Sequence, residues 1–181
     1  PGPLLILAGA GSGKTRVLTH RVAWLVEVLN ISPHAILAVT FTNKAAAEMR
    51  GRIETMLGFG VGGMWIGTFH GLSHRLLRAH WKEAGLPQNF QILDSEDQYR
   101  VIKRLLKALN VDDEKYPPKQ LQHFINNTKE QGLRAKDVEA YDPYTRKQQE
   151  LFAAYDEQCQ REGVVDFAEL LLRSYELLSR D

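Results

Sequence analysis

The stretch Leu4-Leu5-Ile6-Leu7-Ala8-Gly9-Ala10-Gly11-Ser12-Gly13-Lys14-Thr15 runs from four consecutive apolar residues straight into a glycine-rich turn. An apolar strand that breaks into Gly-x-Gly-Lys-Thr and then a helix is the arrangement that wraps a polyphosphate, so the segment points to a bound nucleoside triphosphate. The glycines let the backbone curl with its N–H groups inward, toward a concavity that the following helix N-terminus makes favourable for anions. Lys14 is then spaced to reach the β- and γ-phosphates, and the Thr15 hydroxyl to bind Mg²⁺. Ala8 occupies the place where the general pattern has glycine. The context outweighs that departure, because Val17, Leu18, Val22, Leu25, Val26 and Leu29 recur at helical spacing after the loop.

Working outward, the pattern predicts a strand over 4–7, a helix over 13–29, a strand over 36–40, a helix over 43–56, a strand over 64–68 and a helix over 70–82. This order implies an α/β fold with a three-strand parallel sheet and helical crossovers. Gly58-Phe59-Gly60-Val61-Gly62-Gly63 and the stretch around Gly85-Leu86-Pro87 are breaks. Beyond them the chain changes character. Asp94-Ser95-Glu96-Asp97 is an acidic helix start, Pro117-Pro118 and Pro143 open two more helices, and Asp166 with Glu169 forms a capping-box-like start for a last one over 167–178. The second part therefore reads as helical, without a nucleotide motif of its own.

The 181 residues are 44% hydrophobic and carry a formal net charge of +1, which suits one to one and a half globular domains. That charge is unevenly placed: residues 1–90 hold 9 Lys and Arg against 4 Asp and Glu, and residues 91–181 hold 14 against 18. A basic excess beside a phosphate loop fits a polyanionic second substrate. No apolar run is long enough for a membrane span and no export leader is recognisable, so the expected setting is cytoplasmic, with no membrane partner. Cys159 lies in a polar helical stretch with no second cysteine to pair with, and reads as an incidental thiol. No Cys/His spacing for zinc and no nucleophile elbow occurs.

Two further segments follow strands. In Ala38-Val39-Thr40-Phe41-Thr42-Asn43-Lys44 the residues Phe41, Thr42 and Asn43 fall at the carboxyl end of the second strand, the edge where an open parallel sheet takes ligands. Gly67-Thr68-Phe69-His70-Gly71 repeats the arrangement at the third. An aromatic among small polar groups at a helix N-terminus suits a nucleic-acid single strand, with stacking on the ring and phosphates on backbone N–H groups. The spacing equally allows Phe41 and Phe69 in the core, with Thr42 or Asn43 merely capping a helix and His70 a hydrogen-bonded spacer. Arg75, Arg78 and Lys82 form a basic stripe that could follow a phosphate backbone, and Arg100, Lys103, Arg104 and Lys107 form a second one, more simply a solvated helix face.

Together, Ala8 to Arg16, Val39-Thr40-Phe41-Thr42-Asn43-Lys44-Ala45-Ala46-Ala47-Glu48-Met49 and Gly67-Thr68-Phe69-His70 resemble motifs I, Ia and Ib of superfamily I DNA helicases of the UvrD/Rep/PcrA group. Ala8 is the usual residue of that family. Gln91-Ile92-Leu93-Asp94-Ser95-Glu96-Asp97-Gln98 and Val165-Asp166-Phe167-Ala168-Glu169-Leu170-Leu171 resemble stretches of its helical 1B subdomain, so the likeness runs the whole length. The resemblance implies a partial RecA-like P-loop ATP-binding domain (1A) over 1–70 and a helical 1B subdomain over 71–181. It implies an ATP-dependent motor that moves 3′ to 5′ on single-stranded DNA and unwinds duplex in DNA repair. Ala8, Gly9, Ala10, Gly11, Ser12, Gly13, Lys14 and Thr15 would bind the phosphates of ATP, with Lys14 and Thr15 catalytic, Thr15 on Mg²⁺ and Arg16 against the nucleotide. Phe41, Thr42, Asn43, Thr68, Phe69 and His70 would line the single-strand track. The implied partners are single-stranded and duplex DNA, the remainder of a helicase chain, and repair proteins.

The family's adenine-recognition glutamine motif and its strand ending in Asp-Glu have no counterpart in these 181 residues, where Val164-Val165-Asp166 leads directly into a helix. Phosphoryl transfer depends on all such parts together. The expectation is therefore a fragment that binds nucleotide weakly and lacks full activity. Two other readings stay open: a small P-loop kinase or phosphotransferase, and a non-catalytic nucleic-acid-binding module with a vestigial loop.

Overall fold

The computed structural model describes residues 2–180, which form two compact units that divide between Leu72 and Ser73. The fold is mixed: among the described residues there are seven α-helices and four short strands that pair in parallel.

In the first unit, α1 (Lys14–Glu27) is followed by β1 (Leu37–Thr40), α2 (Asn43–Leu57), β2 (Trp65–Thr68) and the start of α3 (Phe69–Ala79). Strands β1 and β2 pair in parallel from Leu37 opposite Trp65 to Thr40 opposite Thr68. α2 begins where the Thr42 side chain accepts from Ala45 N–H and ends at Gly58. Its buried row is Ala46, Met49 and Ile53, and Met49 and Ile53 meet Val22 of α1 and Ile36, Ala38, Val61, Met64 and Ile66, making one core. Arg50, i+4 from Ala46, lies on the edge of that row and donates to the Ile66 carbonyl at 2.7 Å, tying α2 to β2.

The expected first strand is not formed. Leu4, Leu5, Ile6 and Leu7 are 60%, 82%, 44% and 88% exposed and belong to no ladder. Apolar character alone does not make a strand; backbone N–H and C=O groups need a neighbour to pair with, and β1 and β2 pair only with each other. The sheet of this unit has two strands instead of three.

The second unit corrects the expectation of an all-helical half. It contains β3 (Gln91–Leu93), α4 (Ser95–Ala108), α5 (Pro118–Glu130), α6 (Pro143–Glu162), β4 (Val164–Asp166) and α7 (Phe167–Leu178), and β3 pairs with β4 in parallel, Gln91 opposite Val164 and Leu93 opposite Asp166. Asp94, directly after β3, and Asp166, the last residue of β4, each cap a helix: Asp94 accepts from Asp97 N–H and Asp166 from Glu169 N–H. Val101, Ile102, Leu105, Leu106, Leu121, Ile125, Leu151, Phe152 and Tyr155 form the main core. Cys159 belongs to it, and burial pushes its thiol up to about 12, which leaves it protonated and unreactive.

A charged cluster is buried beside this core. The Lys129 ammonium, 1% exposed, lies 2.8 Å from Asp156, 3.0 Å from Asp166 and 2.9 Å from Glu169. Arg134 holds Glu169 at 2.8 Å and Glu176 at 2.7 Å, Arg173 reaches Glu169 at 2.8 Å, and the Tyr155 hydroxyl donates to Asp166 at 2.8 Å. Burial alone would favour a neutral lysine, but the charges of Glu169, Asp166 and Asp156 overcome it and hold Lys129 well above its ordinary range. Burial likewise opposes ionisation of Glu169, and Lys129 with Arg134 and Arg173 overcomes that, holding its carboxyl well below the usual range.

Removing one member strands the others. Lys129→Met is expected to cost about 3–5 kcal/mol in urea unfolding, whereas breaking the exposed Arg52–Glu48 pair with Arg52→Ala should change stability by under about 1 kcal/mol. Equal effects would contradict the buried network.

The lowered Glu169 carboxyl also has a pH signature. Its contribution is present above the ordinary glutamate value of 4.5 and is lost as pH falls toward the folded-state value. Glu169→Gln should therefore be less stable at neutral pH and lose less stability than the wild type on acidification below 4.5, as read by thermal unfolding across pH.

Candidate nucleotide and nucleic-acid site

The loop 8–15 is exposed throughout and leads into α1 at Gly13. Gly11 (φ 73°) and Gly13 (φ 85°) are left-handed, a backbone that side-chain-bearing residues rarely adopt. The Lys14 ammonium folds back to donate to the Ala8 carbonyl at 2.9 Å, and the Ser12 hydroxyl donates to the Gly9 carbonyl at 2.5 Å. No side chain caps the start of α1 and no acidic residue lies in its first turn. The positive end of the helix dipole is therefore uncompensated by carboxylate, which is the condition an anion requires there. This donor set fits a polyphosphate, with the Thr15 hydroxyl in the first turn as a neutral oxygen ligand for a hard cation such as Mg²⁺. Arg16 lines a groove between α1 and α2 with Thr19, His20, Glu48, Arg52 and Thr55.

Phe41 and Phe69 are brought together. The register of β1 and β2 puts Thr40 opposite Thr68, so the residue after each strand is an aromatic at the same edge. The ring centroids are 6.0 Å apart and tilted by 50°. Phe41 is 88% exposed and Phe69 51%, which removes the core reading of both. Thr42 and Thr68 serve the backbone: Thr42 Oγ1 accepts from Ala45 N–H and Thr68 Oγ1 from Gly71 N–H, both at 3.1 Å. Asn43 is the first residue of α2, and His70 is exposed in the first turn of α3.

The basic stripe on α3 is not uniformly available. The Arg78 guanidinium lies 3.9 Å from the Phe90 ring centroid, donates through Nε to His74 Nε2 at 2.9 Å and through Nη1 to the Gln88 carbonyl at 3.1 Å. His74 meets Phe90 edge-on, and burial together with the Arg78 charge lowers its pKa. Arg78 thus anchors the 84–90 loop. Sequence reasoning gave Arg50 no role, although its place one turn after Ala46 marks it as an arginine beside a buried helix face.

No group of three or more His, Cys, Asp or Glu is placed to hold a metal ion among the described residues, and no helix among them is long and apolar enough to cross a membrane.

One α/β unit thus carries both a glycine-rich loop with its lysine and an exposed aromatic pair at a parallel strand edge. Residues 1–181 match the model of the UvrD/REP helicase N-terminal domain. The chain is 61% identical over 175 residues to DNA helicase II of Escherichia coli (strain K12), covering 96% of this chain and 24% of that protein. It is 59% identical over 184 residues to DNA helicase II of Haemophilus influenzae (99% and 25%) and 44% identical over 179 residues to the ATP-dependent DNA helicase PcrA of Leuconostoc citreum (97% and 24%). The chain belongs to the UvrD/REP helicase N-terminal domain family. It spans about a quarter of the length of the curated relatives it matches.

The exposure of Phe41 has a direct consequence for stability. Phe41→Ala should change the unfolding free energy by under about 0.5 kcal/mol, whereas Thr42→Ala, which removes the cap of α2, should cost about 1 kcal/mol. A cost of several kcal/mol for Phe41→Ala in chemical denaturation would return that ring to the core.

Proposed function

We propose that this chain is the nucleotide- and DNA-engaging N-terminal part of an ATP-dependent DNA helicase that translocates 3′ to 5′ on single-stranded DNA and unwinds duplex in DNA repair. The observation that carries the reading is the pairing of Phe41 with Phe69 in the same unit as the loop 8–15. Family membership and the relatives named DNA helicase II and PcrA support the activity. Residues 1–70 would then be the partial RecA-like 1A domain and 71–181 the helical 1B subdomain.

In this reading Ala8, Gly9, Ala10, Gly11, Ser12 and Gly13 cradle the phosphates with backbone N–H groups. Lys14 swings from the Ala8 carbonyl to the β- and γ-phosphates, where its charge offsets that of the transferring phosphoryl group. Thr15 holds Mg²⁺, which supplies charge neutralisation at the phosphate oxygens when bound, and Arg16 lies against the nucleotide. Phe41 and Phe69 offer ring faces to unstacked bases, a contact worth about 1–3 kcal/mol per base and tolerant of sequence. Thr42, Asn43, Thr68 and His70 present polar groups and helix N-terminal N–H groups to the adjoining backbone phosphates. No strand ending in paired carboxylates occurs among the described residues, so the 181-residue chain alone is expected to bind nucleotide weakly, with negligible turnover and no unwinding.

The test uses the parent-length enzyme and this chain side by side. In the parent, Lys14→Ala should lower ATP turnover by about 10²–10³ and abolish unwinding of a 3′-tailed duplex; a 5′-tailed duplex should not be opened even by the wild type. In this chain, the same substitution should weaken binding of a fluorescent ATP analogue and leave single-strand binding intact. Unwinding retained in the Lys14→Ala parent would overturn the proposal.

A further inference from the structure

The basic stripe on α4 lines a built groove. Arg100, Lys103, Arg104 and Lys107 line a groove of about 580 Å³ together with the apolar Leu106, Val111 and Pro118 and with Asn110 and Asp113. An adjoining depression shares Asn110 and Val111, and there Leu109 is 48% exposed, which extends the apolar strip. Two of the four cations are compensated: Arg100 by Glu96 and Asp97, and Arg104 by Glu162 at 2.7 Å. Lys103 and Lys107 are exposed, and neither has an ion-pair or hydrogen-bond partner for its ammonium among the described residues. The groove thus combines apolar lining residues with two exposed ammonium groups one helical turn apart that no carboxylate among the described residues pairs with.

We propose that this α4 groove docks an acidic, helix-forming segment of a partner protein, carboxylates on Lys103 and Lys107 and one or two aliphatic side chains on Leu109, Val111 and Pro118. The two lysines are at i and i+4, about 6 Å apart along the helix axis, which matches carboxylates placed i, i+4 on a second helix. The neighbourhood disfavours a nucleic-acid backbone. Asp113 lines the groove and Glu96, Asp97 and Glu162 pair with its arginines, and a strand with one charge per nucleotide must bring phosphates past them. A peptide can place its carboxylates only where the free lysines are, and it uses the apolar lining that a phosphate chain leaves empty. The inference concerns the second unit alone and is independent of the nucleotide and DNA roles given to the first.

The test measures binding of a fluorescein-labelled helical peptide with Glu at i, i+4 and Leu on the adjoining positions, by anisotropy, to the 181-residue chain. A matched peptide with each Leu replaced by Gln, a single-stranded oligonucleotide and a duplex oligonucleotide are run in parallel. Lys103→Glu/Lys107→Glu should weaken the Leu-bearing peptide by about tenfold or more and leave affinity for both oligonucleotides unchanged. Lys103→Ala/Lys107→Ala, which removes charge without inverting it, should fall between, and circular dichroism checks that each variant keeps its helices. The Gln peptide should bind several-fold more weakly than the Leu peptide. Equal binding of the two peptides, no binding of the Leu peptide to the wild type, or loss of oligonucleotide affinity in the double variant with peptide affinity unchanged would each overturn the proposal.

Discussion

The parallel ladder from Leu37–Trp65 to Thr40–Thr68 is the interaction on which the candidate site depends. It is four residues long, yet it sets the register that brings Phe41 and Phe69 to one edge with their centroids 6.0 Å apart. A slip by one residue would send alternate side chains to opposite faces and separate the two rings. The ladder is held from behind by the core around Met49, Ile53, Met64 and Ile66 and by the Arg50 hydrogen bond to the Ile66 carbonyl. At its end, the helix caps Thr42 and Thr68 take up backbone donors, so the aromatic rings project from fixed turns. Their exposure costs little because neither ring contributes to the core.

The second unit is organised by a different constraint. Around Lys129 the charges of three carboxylates are satisfied by one ammonium, two guanidinium groups, a tyrosine hydroxyl and the side chain of Gln98. These groups come from α4, α5, α6, α7 and the segment around Arg134, so the cluster fixes how those elements meet. A purely apolar core of the same volume could match its stability, but it would not demand that each element arrive with one particular residue.

Much of this was legible in the sequence. The helices follow from apolar periodicity, from the prolines at the starts of α5 and α6 and from caps at Thr42, Asp94 and Asp166, all of which are local signals. The glycine-rich turn before α1, with Gly11 and Gly13 left-handed, was legible because it lies in one continuous stretch. What escaped was non-local: the three-residue strands β3 and β4 are too short to show alternation and pair across most of the second unit. The apolar run 4–7 misled for the complementary reason, since strand composition was present and a ladder partner was not. Lys129 and Asp156 look like ordinary solvated helix charges and Asp166 with Glu169 like a helix start, and only tertiary packing brings them together as a largely buried cluster. The proximity of Phe41 and Phe69 follows from strand register, which spacing suggests but does not determine.

The central claim, that the Phe41–Phe69 edge receives bases of a single strand, is most directly tested by fluorescence of a single-stranded oligonucleotide carrying 2-aminopurine, titrated with this chain. The account predicts a change in the probe's emission on binding that is abolished by Phe41→Ala and strongly reduced by Phe69→Ala, while the circular dichroism of both variants matches that of the parent chain. An emission change of unaltered size in the Phe41→Ala chain would contradict it.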